Sequence, residues 1–237
     1  MMRLDKFLVH TNAATRSEAK SLIKAGRVLV NGEKPKAPDL KIDEYKDSVT
    51  LDGKPLSYEE FSYFMLNKPA GVVTACEDKR ERTVMDLFEK EPCRGLSPVG
   101  RLDKDTVGLL LVTNDGALSH RLLAPGKHVW KKYYVELSVP ITAEAGEKLC
   151  RGLDIGDDTP TLPARLEAPD GTEPVYPADK LVLSIHEGRF HQVKRMFEAV
   201  GSSVICLKRV SFGPLTLDET LKEGEYKKLS PEVFSDL

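Results

Sequence analysis

The chain has 237 residues, of which 41% are hydrophobic and 30% are charged, with a formal net charge of −2. This length favours two domains, and this composition favours a globular protein with a core. No stretch approaches the roughly 20 apolar residues of a membrane helix, and the first ten residues lack a signal-peptide block. The cysteines, Cys76, Cys93, Cys150 and Cys206, have no CxxC spacing. We therefore expect a cytoplasmic protein with reduced thiols, no membrane association, no zinc site and no disulfide framework.

Positive charge is concentrated at the start of the chain. Residues 1–36 contain eight Lys or Arg and three Asp or Glu, whereas the whole chain carries a net charge of −2. The remaining residues are therefore acidic on balance. A basic segment on an acidic chain indicates a module that binds a polyanion, although a solvated charged surface would give the same composition.

The first 60 residues carry clear signals for local structure. Leu4, Phe7 and Leu8 lie at helical spacing and predict a short first helix. A second helix begins with a capping box formed by Thr15 and Glu18 and ends before a glycine. Strands entering Asn-Gly and Asp-Gly turns follow in "RVLVNGEKP" and "VTLDGKPL". We expect two helices and a hairpin.

Cations share one face of the predicted second helix, because they recur at i, i+4 and i+8. Such a face suits a phosphate backbone. The stretch "RLDKFL…TRSEAKSLIKAGRVLVNG", within residues 3–32, resembles the S4-like RNA-binding domain, and the choice of RNA over DNA rests on this resemblance. The candidate RNA-binding residues of this segment are Arg3, Arg16, Lys20, Lys24 and Arg27.

A second, larger domain is expected over residues 61–237, after a first domain over residues 1–60. It begins with "FSYFMLNKPAGVVTA", which predicts two strands joined as a hairpin around Asn67, Lys68 and Pro69. Helices and strands then intermix without a regular βαβ rhythm. We expect an α+β fold with a mixed, largely antiparallel sheet flanked by helices. Further strands are predicted at 109–113, 132–139, 161–167, 179–185 and 204–212, and helices at 117–124, 142–152 and 189–200.

Two acids stand out in the stretch "GRLDKDTVGLLLVTNDG" at residues 100–116, just before an apolar run. A calcium loop starting at Asp103 fails, because its twelfth position is Asn114 instead of Glu. The D-x-D-T order is one residue out of register with an aspartyl phosphotransferase, and Arg101 and Lys104 would make a poor cage for a metal. On this segment alone, Asp103 could simply accept backbone hydrogen bonds in a turn. We predict no metal site.

Four motifs in the larger domain occur in a fixed order: "NKPAG" at 67–71, "PVGRLDKDTVGLLLVTNDG" at 98–116, "HVWKKYYV" at 128–135 and "EGRFHQVKRMF" at 187–197. Together with the basic head, they resemble the RsuA-type RNA pseudouridine synthases. This resemblance implies isomerisation of a uridine within RNA, with its glycosidic bond moving from N1 to C5 of the same base. A lone carboxylate suits this reaction without a metal or cofactor, since it can act as nucleophile or base.

The resemblance also implies roles for particular residues. Asp103, in "GRLD", is the catalytic carboxylate, whereas Asp105 is expected to stabilise the loop. Tyr133 fits K-x-Y and would stack on the target base, with Tyr134 on the opposite side of the strand. Lys194 is the expected ion-pair partner of Asp103, standing where related synthases have Arg and lacking its bidentate geometry.

Other polar residues of these motifs are assigned to RNA or to loop structure. Arg189 and Arg195 compete with Lys194 for the carboxylate, and Lys194 and Arg195 cannot both face the pocket, so one of them belongs to RNA or solvent. His191 is structural or faces RNA. The candidate RNA-binding residues here are Lys68, Arg101, Arg189, His191 and Arg195.

The expected substrate is a single uridine of 16S rRNA, at position 516, held in a flipped-out state. The partner is thus ribosomal RNA, in a partly assembled small subunit or free, and the enzyme is expected to be a bacterial monomer active in ribosome biogenesis. A site in 23S rRNA is the alternative substrate. A non-catalytic RNA-binding assembly factor and a metal-dependent phosphohydrolase are the alternatives of another class.

Overall fold

The structure is a computed structural model that describes residues 1–11, 13–89, 91 and 95–235. Its contacts divide the chain into two compact units. The first comprises Met1–Ser62 and Phe88–Leu96, and the second comprises Tyr63–Leu87 and Ser97–Leu237. Within the described part of the chain, no helix is long and apolar enough to cross a membrane. Cys76, Cys150 and Cys206 are free thiols as expected, and Cys93 lies outside the described residues.

The first unit contains two helices and short antiparallel strands. Thr15 and Glu18 form the predicted capping box, with the Thr15 amide donating to Glu18 Oε2 at 2.8 Å. Gly26 follows the second helix at φ +71°, as a C-terminal glycine does. Both predicted Asx-Gly turns are present, with positive φ at each of their residues. The elements are β1 (Met2–Arg3), α1 (Leu4–His10), α2 (Arg16–Lys24), β2 (Val28–Val30), β3 (Lys41–Ile42), β4 (Val49–Leu51) and β5 (Lys54–Leu56).

The two faces of α2 differ as the sequence predicts. Ala19 and Ile23 are buried in a core shared with α1, β2 and β4. The cations Arg16, Lys20 and Lys24 are exposed on the other side. Arg3 and Arg27 are also exposed, and each pairs with a nearby carboxylate, Asp5 and Asp52 respectively.

The second unit is built on one mixed sheet. In the described residues its order is β10-β11-β9-β12-β8-β6-β14, with β13 beside β12 and β7 beside β8. All pairings are antiparallel except that of β8 with β12, so the α+β class and the largely antiparallel sheet are confirmed. Its strands are β6 (Tyr63–Lys68), β7 (Ser97–Pro98), β8 (Val107–Thr113), β9 (Lys131–Ile141), β10 (Arg165–Glu167), β11 (Ala178–Ile185), β12 (Val204–Phe212), β13 (Leu215–Thr216) and β14 (Tyr226–Leu229). Its helices are α3 (Gly116–Leu123), α4 (Ala143–Arg151) and α5 (Gln192–Glu198), and 3-10 turns lie at Val84–Phe88, Pro125–Lys127 and Pro231–Phe234.

The hairpin predicted around Asn67, Lys68 and Pro69 is wrong. Both edges of β6 are occupied by distant strands, β8 on one side and β14 on the other. The chain after Pro69 instead bends toward the loop that precedes β8, where the Gly71 amide donates to the Lys104 carbonyl at 2.8 Å. The "NKPAG" motif therefore shapes the loop that carries Asp103.

Two other elements begin well after their predicted start. Residues 161–164 are not in the strand expected over 161–167, because Pro163 has no amide to donate and the other amides bond elsewhere, as when Leu162 donates to Glu187 Oε1 at 2.8 Å. The helix expected over 189–200 begins at Gln192. His191 precedes it in the left-handed region, at φ 48° and ψ 32°, which no helical residue adopts.

A close approach of β8 and β12 fixes the start of β8. Gly108 has φ +100°, and a Cβ placed there would overlap the Arg209 carbonyl oxygen. No side chain fits at this contact. Gly108 thus allows the parallel pairing that holds the Asp103 loop against the centre of the sheet.

Candidate active site

A cleft of about 1130 Å³ lies in the second unit. The loop before β8, the first residues of β9, the segment after β11 and the strand β12 form its walls. Polar residues that line it include Arg101, Asp103, Lys131, Tyr133, His191 and Arg209. Motifs separated by more than 80 residues in sequence therefore meet around one carboxylate.

Asp103 is held at the wall of this cleft by its neighbours. The Thr106 amide donates to the Asp103 carbonyl at 3.1 Å, which closes a turn. Before it, the Thr74 hydroxyl donates to the Leu102 carbonyl at 2.8 Å and accepts from the Leu102 amide at 3.2 Å. The Asp103 side chain is 26% exposed. It is thus fixed in position and still open to a substrate.

Two basic groups face the Asp103 carboxylate. Lys194 Nζ lies 3.2 Å from Oδ2, and His191 Nε2 lies 3.6 Å from Oδ1. Lys194 also contacts Asp105, at 2.6 and 2.8 Å from its two carboxylate oxygens. Asp105 is therefore the nearer partner, and Lys194 bridges the two carboxylates.

The electrostatics of this bridge keep Lys194 charged. Burial alone would lower the pKa of Lys194, but the hydrogen bond to Asp105 and the charges of Asp103 and Asp105 outweigh it, so the pKa is raised. The same hydrogen bond lowers the pKa of the Asp105 carboxyl. The side chain of Asp105 is 72% exposed, against 26% for Asp103. The less exposed carboxylate is the one that lines the cleft.

The two arginines that compete with Lys194 in sequence do not contact Asp103. Arg189 binds Glu187 at 3.0 Å and the Pro160 carbonyl at 2.7 Å. Arg195 binds Asp157 at 2.6 Å and the Ile155 carbonyl at 3.0 Å. The expectation that one of Lys194 and Arg195 belongs to RNA or solvent is therefore corrected. Internal partners on the loop at 155–160 hold both guanidinium groups.

Tyr133 and Tyr134 lie on opposite faces of β9. Tyr133 is 8% exposed, lies between Leu183 and Arg209 on the neighbouring strands, and lines the cleft. Tyr134 faces away, where its hydroxyl donates to Glu136 at 2.6 Å. Burial and that hydrogen bond raise the pKa of Tyr134 to about 12. The alternation of β9 thus places Tyr133, and not Tyr134, in the cleft.

Lys68 does not present its ammonium group to RNA, so the expected phosphate contact is wrong, whereas the alternative expectation of a role in loop structure agrees with its contacts. Its side chain is 0% exposed, and Nζ donates to the carbonyls of Pro69, Lys104 and Thr106 at 3.1, 3.3 and 2.8 Å. Burial lowers its pKa to about 8. Lys68 instead ties together the backbone on both sides of the Asp103 turn.

We expect Lys68→Met to lower the free energy of unfolding by about 2–4 kcal/mol, because three buried carbonyls lose a charged donor. Since the folded-state pKa is below the unfolded value of 10.5, the unfolded chain binds more protons between about pH 8 and 10.5. The stabilisation by Lys68 relative to Met should therefore rise with pH across this window. Urea unfolding at pH 7 and pH 9.5 measures both effects, with exposed Lys148→Met as control. A difference that shrinks with pH would contradict this account.

Sequence reasoning missed two cations in the cleft. Lys131 lies two residues before Tyr133 on the same face of β9, and its Nζ donates to the Val129 carbonyl at 2.8 Å. Burial, and then the charge of Arg209, lower the pKa of Lys131 to about 8. Arg209 is 2% exposed, and its Nε donates to the Leu109 carbonyl at 2.8 Å. The sequence did offer a signal for Lys131, because residues two positions apart on a strand, such as Lys131 and Tyr133, share one face.

Arg101 and His191 lie where RNA could reach them. Arg101 is exposed on the cleft wall, and the His191 side chain is 42% exposed. Among the described residues, no group of three or more His, Cys, Asp or Glu side chains is arranged to hold a metal ion. Asp78 and Glu187 line the cleft as well, so Asp103 is one of three carboxylates among its lining residues.

Comparison with known proteins shows which family this chain belongs to. A model of the RNA pseudouridylate synthase family matches residues 62–199, and a model of the S4 domain matches residues 2–44. The chain belongs to the RNA pseudouridylate synthase family. Both resemblances seen in the sequence are thereby confirmed, and the protein is an RNA pseudouridine synthase with an S4 domain.

Relatives of this RNA pseudouridine synthase align over their full length. It is 45% identical to an uncharacterized RNA pseudouridine synthase of Bacillus subtilis (strain 168), over 98% of this chain and 96% of that protein. It is 43% identical to ribosomal small subunit pseudouridine synthase A of Vibrio cholerae, over 100% and 99%. A crystal structure of a pseudouridylate synthase superimposes with a TM-score of 0.66 at 39% identity, covering 99% of both chains.

Proposed function

We propose that this synthase isomerises a single uridine of small-subunit rRNA, at position 516 of 16S rRNA, with Asp103 as the catalytic carboxylate. The observation that carries the assignment of Asp103 is its place 3.2 Å from Lys194 Nζ, in the cleft that Tyr133 also lines. The choice of rRNA is supported by the relatives named ribosomal small subunit pseudouridine synthase A, including that of Vibrio cholerae.

The reaction balances without any added group. The bond from C1′ to N1 breaks, a bond from C1′ to C5 forms, C5 loses a proton and N1 gains one. An ionised carboxylate can assist at the sugar or base as nucleophile or general base. In this proposal Lys194 pairs with the Asp103 carboxylate and orients it, and Tyr133 stacks on the uracil with its hydroxyl near C5. No cofactor is needed.

Access to the base requires that it leave the helix. An enzyme cannot reach C1′ and C5 of a stacked uridine, so the target is flipped out or already unpaired. The first domain, residues 1–60, would anchor flanking rRNA through α2, and residues 61–237 would carry out the chemistry. We propose that the enzyme acts as a monomer in the cytoplasm, on free rRNA or a partly assembled small subunit.

Release of tritium from RNA labelled at C5 of uridine tests this function. The wild type should release one equivalent from 16S transcript and none from 23S transcript, with no effect of EDTA, and sequencing should place the pseudouridine at one position. Release from 23S transcript alone would replace the substrate and keep the reaction. No release from either RNA, or from partly assembled subunits, would overturn the proposed activity in favour of a binding factor.

The role of α2 gives a prediction about salt. Replacing Arg16, Lys20 and Lys24 together by Gln should weaken rRNA binding and reduce the slope of log K against log salt by about 2 to 3, because up to three phosphate contacts are lost. Single-turnover tritium release at saturating enzyme should be unchanged. Lys148→Gln, on the exposed face of α4, is the matched control. An equal loss of single-turnover rate would contradict the division of roles.

A further inference from the structure

We propose that the exposed ring of Phe190 is a stacking site for the RNA base next to the target uridine. This inference rests on the proposed function. Phe190 is 73% exposed and lines the same cleft as Asp103. Unpaired bases bind proteins by stacking on aromatic side chains. An exposed phenyl ring that lines an RNA-modifying cleft can therefore bind a base in this way.

The ring is already stacked on one side. The centroids of Phe190 and His191 are 3.8 Å apart, and the planes of the two rings are 18° from parallel. One face of Phe190 is therefore covered, and the exposure of its side chain leaves the other for a ligand. A planar ligand would extend this stack by one layer, whereas an aliphatic ligand would gain nothing from the parallel arrangement.

The stack begins at the catalytic carboxylate. His191 Nε2 lies 3.6 Å from Asp103 Oδ1, so the Phe190 ring is one aromatic layer beyond the group that contacts Asp103. Tyr133, at 8% exposure, is assigned to the flipped uracil. Phe190 is therefore close enough to the reacting uracil to stack on the base of an adjacent nucleotide.

The backbone holds this platform in a costly conformation. His191 is in the left-handed region at φ 48°, which costs a residue other than Gly about 1 kcal/mol or more. Two hydrogen bonds fix the segment on either side. Arg195 Nη1 donates to the Phe190 carbonyl at 3.0 Å, and the Arg189 amide donates to Gln192 Oε1 at 3.0 Å. The position of both rings is thus preorganised before RNA binds.

The charge around the platform favours RNA over an apolar peptide as the occupant. Arg101 is exposed in the same cleft, and His191 and Lys131 add basic groups. A phosphate backbone would pass such groups as its base reached Phe190. Phe190 would then set which nucleotide is accepted beside the target uridine, mainly by the strength of stacking.

Kinetics on the rRNA that the wild type converts test the proposal. Phe190→Ala should raise KM about 5- to 100-fold, the range for one stacked base, and should change the saturating single-turnover rate less than about threefold. Phe190→Trp should restore KM, whereas Phe190→Leu should not, because it keeps apolar area without a ring. Val175→Ala, at a residue that is 86% exposed, controls for a general surface effect.

A cycle with modified RNA identifies the stacked base. Substrates carry an abasic nucleotide immediately 5′ or 3′ of the mapped uridine. If Phe190 stacks on the base at one of these positions, Phe190→Ala should cause no further rise in KM with the RNA that lacks that base. With the RNA that is abasic at the other position, the two effects on KM should be additive as free energies. Equal effects of Phe190→Ala on all RNAs, or recovery with Phe190→Leu, would overturn the stacking site while conversion by the wild type upholds the proposed function. No conversion by the wild type would overturn both.

Discussion

Asp103→Asn is expected to lower single-turnover tritium release at least about 1,000-fold, with RNA binding unchanged, because an amide is neither nucleophile nor base at neutral pH. The neighbouring Asp105→Asn should keep the rate within about tenfold of the wild type. Asp105 is the closer partner of Lys194, at 2.6 Å, but its side chain is 72% exposed and does not line the cleft. Asp105 is thus the carboxylate nearer to Lys194, whereas Asp103 is the carboxylate assigned to the chemistry.

The two variants form a matched pair. Each removes one negative charge beside Lys194, so a loss caused only by the local charge balance would appear in both. If both variants are equally inactive, the catalytic role belongs to Asp103 and Asp105 together. If only Asp105→Asn is inactive, Asp105 is the catalytic carboxylate instead of Asp103. Equilibrium binding to unlabelled transcript should show less than a twofold difference among wild type and variants.

Lys194→Met is expected to reduce the rate about 100-fold and to leave KM within about threefold. The substitution leaves Asp103 and Asp105 on one loop without the cation that contacts both, so Asp103 loses a group that orients its carboxylate. The wild type should show no loss of rate from Lys194 on the alkaline side below about pH 10, since the pKa of Lys194 is raised above 10.5.

Lys194→Arg separates charge from geometry. Arg supplies the charge with a planar, bidentate group instead of a point charge. It should recover most of the rate. If Lys194→Met leaves the rate unchanged, the ion pair is structural, and urea unfolding would show whether its loss lowers the stability instead.

Local signals in the sequence predicted local structure well. The capping box of Thr15 and Glu18 and the helix it starts are confirmed, as is the whole of β12 over residues 204–212. These features depend on neighbours in sequence, such as an amide three residues away or alternation along a strand. The family resemblance rests on motifs in a fixed order, and the match of the family model over residues 62–199 confirms it.

Features decided by distant contacts were missed. The pairing of β6 with β14 and β8 depends on strands far away in sequence, so the expected hairpin failed. The sequence left Lys68 as a contact to phosphate or to a loop, and only its three carbonyl partners, which the fold brings together, decide for the loop. Lys194 was chosen over Arg189 and Arg195 from motif position alone. Its contact with Asp105 requires the fold to bring α5 to the loop before β8.

The position of β14 has a consequence for synthesis of the chain. Every residue of β6 is buried, and one of its edges is covered by β14, which begins at Tyr226, about 160 residues after β6 ends. A ribosome adds about 5–20 residues per second, so this apolar edge stays unpaired for about 8–30 s after it is made. An unpaired strand edge is a template for wrong pairing. Until β14 is made, this edge of β6 is therefore open to wrong strand pairing.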